Sequence, residues 1–200
     1  MKKIFIILLI FAVLLGIGTI LSDKNALQKD LIRLHVVGNS NSESDQQMKI
    51  TVKDAVVAYI NSILPQAGNA AQAKEILRSH ISDIAAVANK VLSASGSTHT
   101  VTVSLKKESF NTRQYATFSL PSGKYESLRI QIGAGDGRNW WCVAFPGLCI
   151  PATNAEFEDT AVSCGLQDGL VNTLSGERPY KFRFFLLDCL GKLENLLFPD

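Results

Sequence analysis

Apolar residues run from Ile4 to Leu21 without a charge, behind Lys2 and Lys3 and ahead of Asp23. Two lysines before such a run are the pattern of a secretory signal or a membrane anchor. Its 18 residues are long for a signal core and just enough to span a bilayer as a helix. Gly16, Gly18 and Ser22 offer cleavage points but none in a clean A-x-A pattern, so cleavage and retention both stay open. In either case Lys2 and Lys3 remain cytoplasmic and the chain from about Asp23 is exported. A globular core helix would carry a polar stripe, and this run has none. Residues 1–22 are thus expected to be a signal peptide or anchor, and Asp23–Lys29 a short polar linker.

Beyond the linker the apolar period changes twice. Leu31 to Val37 alternates imperfectly and predicts a strand, followed by a turn over Gly38–Ser42. Ser44 with Gln47 forms a candidate capping box. Met48, Val52, Val56, Tyr59 and Ile63 then recur at helical spacing up to Leu64-Pro65. A second helix is expected from about Ala70 to Ala94, ended by Gly96. Thereafter the period is two, with Val101, Val103 and Leu105, then Ala116, Phe118 and Leu120, then Leu128, Ile130 and Ile132. Turns at Pro121–Lys124 and Gly133–Gly137 separate these segments from a last strand, about Asn139 to Phe145. Residues 151–179 show no period and are expected to be irregular. Lys181 to Phe198 closes the chain as a helix striped by Phe184, Leu187, Leu190, Leu193 and Leu197. The expected fold is α+β: a single exported domain with an antiparallel sheet of four to five strands. Two N-terminal helices pack on it, and a C-terminal helix follows.

Composition narrows the function. The 200 residues are 46% hydrophobic and 19% charged, too apolar and too evenly charged for a disordered chain. Residues 1–22 hold two lysines and no acid, so residues 23–200 carry 18 bases and 18 acids. A nucleic-acid binder needs a basic surplus to displace phosphate counterions, and this segment has none. It is read as one extracytoplasmic domain.

Export changes how the cysteines are read. Cys142, Cys149, Cys164 and Cys189 are an even number in a compartment where disulfides persist. Three pairings are possible. Phe145, Pro146 and Gly147 let a strand turn back between Cys142 and Cys149, which makes that pair the favoured bridge, worth about 2 kcal/mol. Cys164 and Cys189 fit buried free thiols equally well. The spacings match no zinc site, and no metal or cofactor is expected.

Catalytic patterns fail one after another. Three histidines, His35, His80 and His99, stand without a G-x-S-x-G elbow or an H-E-x-x-H pair. Gly133–Gly137 leads into a strand, whereas a phosphate loop must open a helix. Asp159-Thr160-Ala161 matches an aspartic-protease triplet but has the acidic flank Glu156-Phe157-Glu158 in place of a hydrophobic strand. What stands out is Arg138-Asn139-Trp140-Trp141, where consecutive tryptophans on a strand face opposite sides. Tryptophan near arginine is the composition of a binding hot spot. His35 is the other singular residue, with Asn39, Ser40, Asp45 and Gln46 close behind it.

Two long blocks carry a family resemblance. Leu31-Ile32-Arg33-Leu34-His35-Val36-Val37-Gly38-Asn39-Ser40-Asn41-Ser42, with Asp45, Gln46 and Lys49, resembles the opening motif of stage II sporulation protein R. Gly123 to Arg129, then Gly135 to Cys142 and Phe145-Pro146 to Cys149, resembles the same family, so the blocks frame residues 31–150. Residues 151–200 form an extension that is similar only loosely. Gly38 departs from a usual alanine and Gly147 from a common second proline. Cys164 and Cys189 match nothing in the family.

The resemblance implies a signalling protein made in the forespore and exported, secreted or membrane-anchored, into the space between the two membranes. There it triggers a membrane-embedded aspartic protease that cleaves a sigma-factor precursor. On this reading the protein is a ligand and not an enzyme. Its partner-binding residues are expected to be His35, Asn39, Ser40, Asp45 and Gln46, with Arg138, Asn139, Trp140 and Trp141. Residues 4–21 add membrane contact if uncleaved. The alternative is a peptidoglycan-binding or cell-wall hydrolase module using His35 and Asp45.

Overall fold

The helix at the front does not stop at Leu21. It continues to Asp30 as α1 (Lys2–Asp30), so the expected linker is helical. The reason is tertiary: Leu27 and the following Leu31 are buried, and Asp23 is held by Arg183 from the far end of the chain. The structure is a computed structural model describing residues 2–147, 149, 154–163, 166–175 and 181–199. Among the described residues no helix is long and apolar enough to cross a membrane. The side chains at 9, 10 and 12–14, inside the uncharged run, are not among those described.

A four-stranded sheet holds the centre. β1 (Ile32–Val37), β2 (Val101–Phe110), β5 (Gly123–Ile132) and β6 (Asn139–Phe145) lie in the order β2-β5-β1-β6. β3 (Arg113–Gln114) pairs with β4 (Ser119–Leu120) in a separate small ladder. The α+β class is as expected, but the main sheet is mixed rather than antiparallel. β1 runs parallel to β5, with Leu34 opposite Leu128, and antiparallel to β6, with His35 opposite Trp141. The first strand thus slots between two later ones, a place that suits its nearly unbroken burial. Tyr115 to Leu120, expected as a full strand, contributes only β4. Its Tyr115 ring stacks on Phe118 at 4.6 Å, over the sheet instead of beside it.

Helices cover the face of Ile32, Leu34 and Val36. They are α2 (Glu43–Ile63), a 3-10 turn (Leu64–Gln66), α3 (Ala70–Ser79) and α4 (Ile81–Ala94). The N-cap of α2 is Ser42, whose side chain accepts from the Asp45 N–H at 3.2 Å, two residues before the expected Ser44. The single helix expected over 70–94 breaks at His80, which leaves helical geometry with ψ 12°. No glycine or proline marks that break. His80 Nδ1 instead meets Tyr59 Oη and Asp83 Oδ2, both at 2.9 Å.

The opposite face of the sheet is divided. Its lower half, with Phe110, Tyr125 and Val143, is buried under Leu27, Leu31, Phe118, Leu120 and the C-terminal helices. α5 (Asn154–Ser163) and α6 (Asp168–Ser175) replace the irregular stretch expected there, and α7 (Lys181–Leu197) follows as predicted. Arg33 lies wholly within this half, its guanidinium 4.0 Å over the Phe110 ring and one nitrogen donating to Tyr115 Oη at 2.9 Å. The upper half is open.

Candidate functional site

The upper half gathers residues that lie far apart in the chain. Strand alternation puts His35 of β1, Glu108 of β2, Arg129 of β5, and Asn139 and Trp141 of β6 on one side. His35 is the hub. Its Nδ1 lies 3.1 Å from Glu108 Oε2, its Nε2 3.0 Å from Asn139 Oδ1, and its ring stacks on Trp141 at 5.6 Å. Arg113 of β3 places its guanidinium 3.6 Å over the ring of the same indole. Arg129 Nη1 donates to Glu108 Oε1 at 3.0 Å. The result is a depression of about 180 Å³ lined by these groups.

Glu108 is the acid that holds this cluster. Burial alone would raise its pKa, but the hydrogen bonds with His35 and Arg129 outweigh burial and hold it at about 2, against an ordinary 4.5. A folded pKa below the unfolded one means that the folded chain binds fewer protons between those values. The stabilisation is therefore complete above the unfolded value and disappears as pH falls toward 2. The urea midpoint is expected to fall between about pH 5 and pH 2.5, with a gentler slope in Glu108→Gln. Equal slopes in the two proteins would place the charge of Glu108 outside the folding balance.

The polar residues of the first block have another task. Asp45 accepts from Ser40 Oγ at 2.6 Å and Asn39 Nδ2 at 2.9 Å, and these bonds lower its pKa. Asn39 Oδ1 accepts from the Ala134 N–H at 3.0 Å, and the Asn39 carbonyl from Asp136 N–H at 3.1 Å. Gln46 Nε2 donates to the Ser40 carbonyl at 2.7 Å. Lys49, whose pKa burial lowers, donates to Gln46 and to the Arg138 carbonyl at 2.9 Å. The two sequence blocks are therefore zipped loop to loop through Gly38, Asn39, Asn41 and Lys49, while Ser40, Asp45 and Gln46 brace the first loop from within. His35 pairs with Glu108, whereas Asp45 pairs with Asn39 and Ser40.

Glycine is needed where the loops meet. A Cβ on Gly137 would sit 2.3 Å from the Ser40 carbonyl oxygen and 2.8 Å from that of Gly38. Both obstacles are backbone. Gly137→Ala is expected to cost about 2–3 kcal/mol and to expose the Gly137 amide, which donates to Gly38 at 2.9 Å. Thermal unfolding with hydrogen exchange at that amide checks it, and an unchanged midpoint would contradict the zip.

The remaining expected residues divide. Arg138 is exposed at the rim of the zip, with its N–H bonded to Asn41 Oδ1 at 2.8 Å. Trp140 faces the helices, its ring 5.1 Å from Lys53 Nζ, while Trp141 faces the open half, so the tryptophans do lie on opposite sides. Cys142 and Cys149 form a disulfide, and Cys189 is free but exposed on α7, not buried as a packed thiol would be. Cys164 lies outside the described residues. Sequence reasoning missed Glu108, Arg113 and Arg129. Only the β2-β5-β1 register brings them to His35, and no local pattern encodes that register.

Among the described residues no group of three metal-ligating side chains converges. The chain is thus an α+β domain that presents a polar, aromatic surface on half of one sheet face. Residues 28–155 match the family described as Stage II sporulation protein R, and the chain belongs to that family. It is similar to Stage II sporulation protein R of Bacillus subtilis (strain 168), 34% identical over 158 residues, covering 74% of this chain and 70% of that protein. No solved structure matches. The chain has a role in sporulation.

Proposed function

We propose that the protein is an exported signal of spore formation which activates a membrane-embedded aspartic protease, leading to cleavage of a sigma-factor precursor. It acts as a ligand, without turnover of its own and without nucleic acid. It works on the outer side of the forespore membrane, secreted or held there through residues 4–21. A ligand can drive such activation only by binding the active state of the protease more tightly than the inactive one.

The observation that carries this reading is the open half-face itself. Both matched blocks build it, and it joins a stacked Arg113–Trp141–His35 column to the guanidinium of Arg129. Aromatic and arginine side chains over a small depression are the composition of an interface centre. Two guanidinium groups against one carboxylate favour an acidic segment on the protease. Asn39, with Ser40, Asp45 and Gln46 behind it, contributes by fixing the loop that carries Arg138 and Asn139, and Trp140 by seating β6 on the helices.

Arg138→Ala with Asn139→Ala tests the rim of this surface. Lys49 meets the Arg138 carbonyl and not its side chain, and the Asn139 side chain gives up a single exposed bond to His35, so the fold is retained. Precursor processing is expected to drop with circular dichroism unchanged and the thermal midpoint lowered by no more than the loss of one exposed hydrogen bond. Full processing by the double variant would remove these two residues from the contact surface.

A further inference from the structure

α7 is apolar on two opposite sides. One side is buried against the domain through Leu187 and Gly191. The other carries Phe182, Phe185, Cys189, Leu193 and Leu196 at steps of three and four, which is one helical face. Phe182 is 70% exposed and Leu196 78%, and no charged residue interrupts that face. Lys181 and Lys192 flank it. A water-facing helix has no use for such a stripe.

The contacts of α1 indicate what covers it. Arg183 pairs with Asp23, the first charged residue after the uncharged run, and Glu194 pairs with Lys24 at 3.0 Å and with Gln28 at 2.6 Å. Arg183 and Glu194 are separated by about 16 Å along α7, whereas their partners span about 7 Å of α1 at most. The helices therefore cross steeply. The C-terminal end of α1 is sunk in the domain at Leu27, the helix passes α7, and its uncharged run extends away from the body. Ile4, Phe5, Ile7, Leu8 and Phe11 on that run are all more than half exposed.

We propose that α7 lies in the headgroup boundary of a lipid bilayer, its outer stripe turned into the lipid that receives the uncharged run of α1. A steep crossing makes α7 run along the membrane surface when α1 enters it. The flanking lysine side chains then reach anionic headgroups, as in interfacial amphipathic helices. The protein body, with its open half-face, is held at a fixed height above the surface. The proposal rests on the exported, membrane-facing reading above, but involves no protease.

Cys189, in the middle of the stripe, is a built-in reporter. The full chain, with Cys164→Ser so that one position is labelled, carries an environment-sensitive fluorophore at Cys189. It is mixed with vesicles of phosphatidylglycerol and phosphatidylethanolamine, and flotation is measured in parallel with quenching. The expected result is flotation, loss of quenching by aqueous iodide, and gain of quenching by spin-labelled lipid. A label at Ser93→Cys on α4, exposed on the opposite side of the sheet, in a chain that also carries Cys189→Ser, stays open to iodide. Phe182→Ser with Phe185→Ser restores iodide quenching at Cys189 while flotation persists through α1. A chain that does not float, or one that floats with Cys189 as open to iodide as Ser93→Cys, overturns the proposal. Neither failure touches the signalling reading, since no protease is present.

Discussion

Gly191→Ala is expected to destabilise the protein by about 3 kcal/mol and to release α7 from the domain. In an isolated helix the same change would stabilise by up to about 1 kcal/mol, because alanine is the better helix former. Tertiary contact reverses the sign. A Cβ on Gly191 would lie 1.6 Å from the Ser122 carbonyl oxygen, 2.3 Å from its carbon and 3.0 Å from Gly123 N, all backbone. Nor is Ser122 free to retreat, since Asp188 accepts from its N–H and its Oγ, each at 2.8 Å. Asp188 also accepts from Thr112 and pairs with Lys192, and these bonds overcome burial to hold its pKa at about 2. Urea unfolding, with trypsin cleavage at Lys192 as the local probe, measures the loss. Gly147→Ala, whose Cβ meets among the described residues only Asn61, at 4.0 Å, is the neutral control. A Gly191→Ala protein as stable as that control would contradict the docking of α7.

The second large effect falls on signalling. Trp141→Ala takes out the middle of the Arg113–Trp141–His35 column and is expected to weaken partner binding about thirtyfold, the ~2 kcal/mol of a central hot spot. Part of Trp141 also packs on the lower core, so the change costs some stability. Arg113→Ala separates the two contributions, since Arg113 stacks on the indole from the small β3–β4 ladder, outside the main sheet. It is expected to reduce processing with little change in thermal midpoint. Normal processing by both variants would move the contact away from this half-face.

The parts legible in the sequence were those written locally. The α2 stripe, the extent of α7, the Gly133–Gly137 turn and the opposite facing of Trp140 and Trp141 all follow from period and turn chemistry. The stripe expected on α7, by contrast, is split, with Leu187 buried and Leu193 and Leu197 exposed. The Cys142–Cys149 bridge follows from a short loop with Pro146. What sequence could not convey was pairing at a distance. β1 sits between β5 and β6 because the Gly38–Asn41 and Gly133–Arg138 loops interlock, and that bond set joins residues nearly a hundred positions apart. The same interlock explains why Asn39, Ser40, Asp45 and Gln46 looked like a site: they are polar and clustered, but spend their hydrogen bonds on the fold. The helical state of Asp23–Lys29 and the break at His80 were hidden for a related reason, since each depends on a partner elsewhere, Arg183 in one case and Tyr59 in the other.

Processing of the precursor in a host that does not form spores bears most directly on the signalling role. The full chain is co-expressed with the membrane aspartic protease and the sigma-factor precursor of its own organism, and precursor length is followed on a gel. The account predicts shortening that requires this chain, requires residues 1–22 for export, and is lost with Trp141→Ala. A precursor that stays full length beside a competent protease and a correctly exported chain would contradict it.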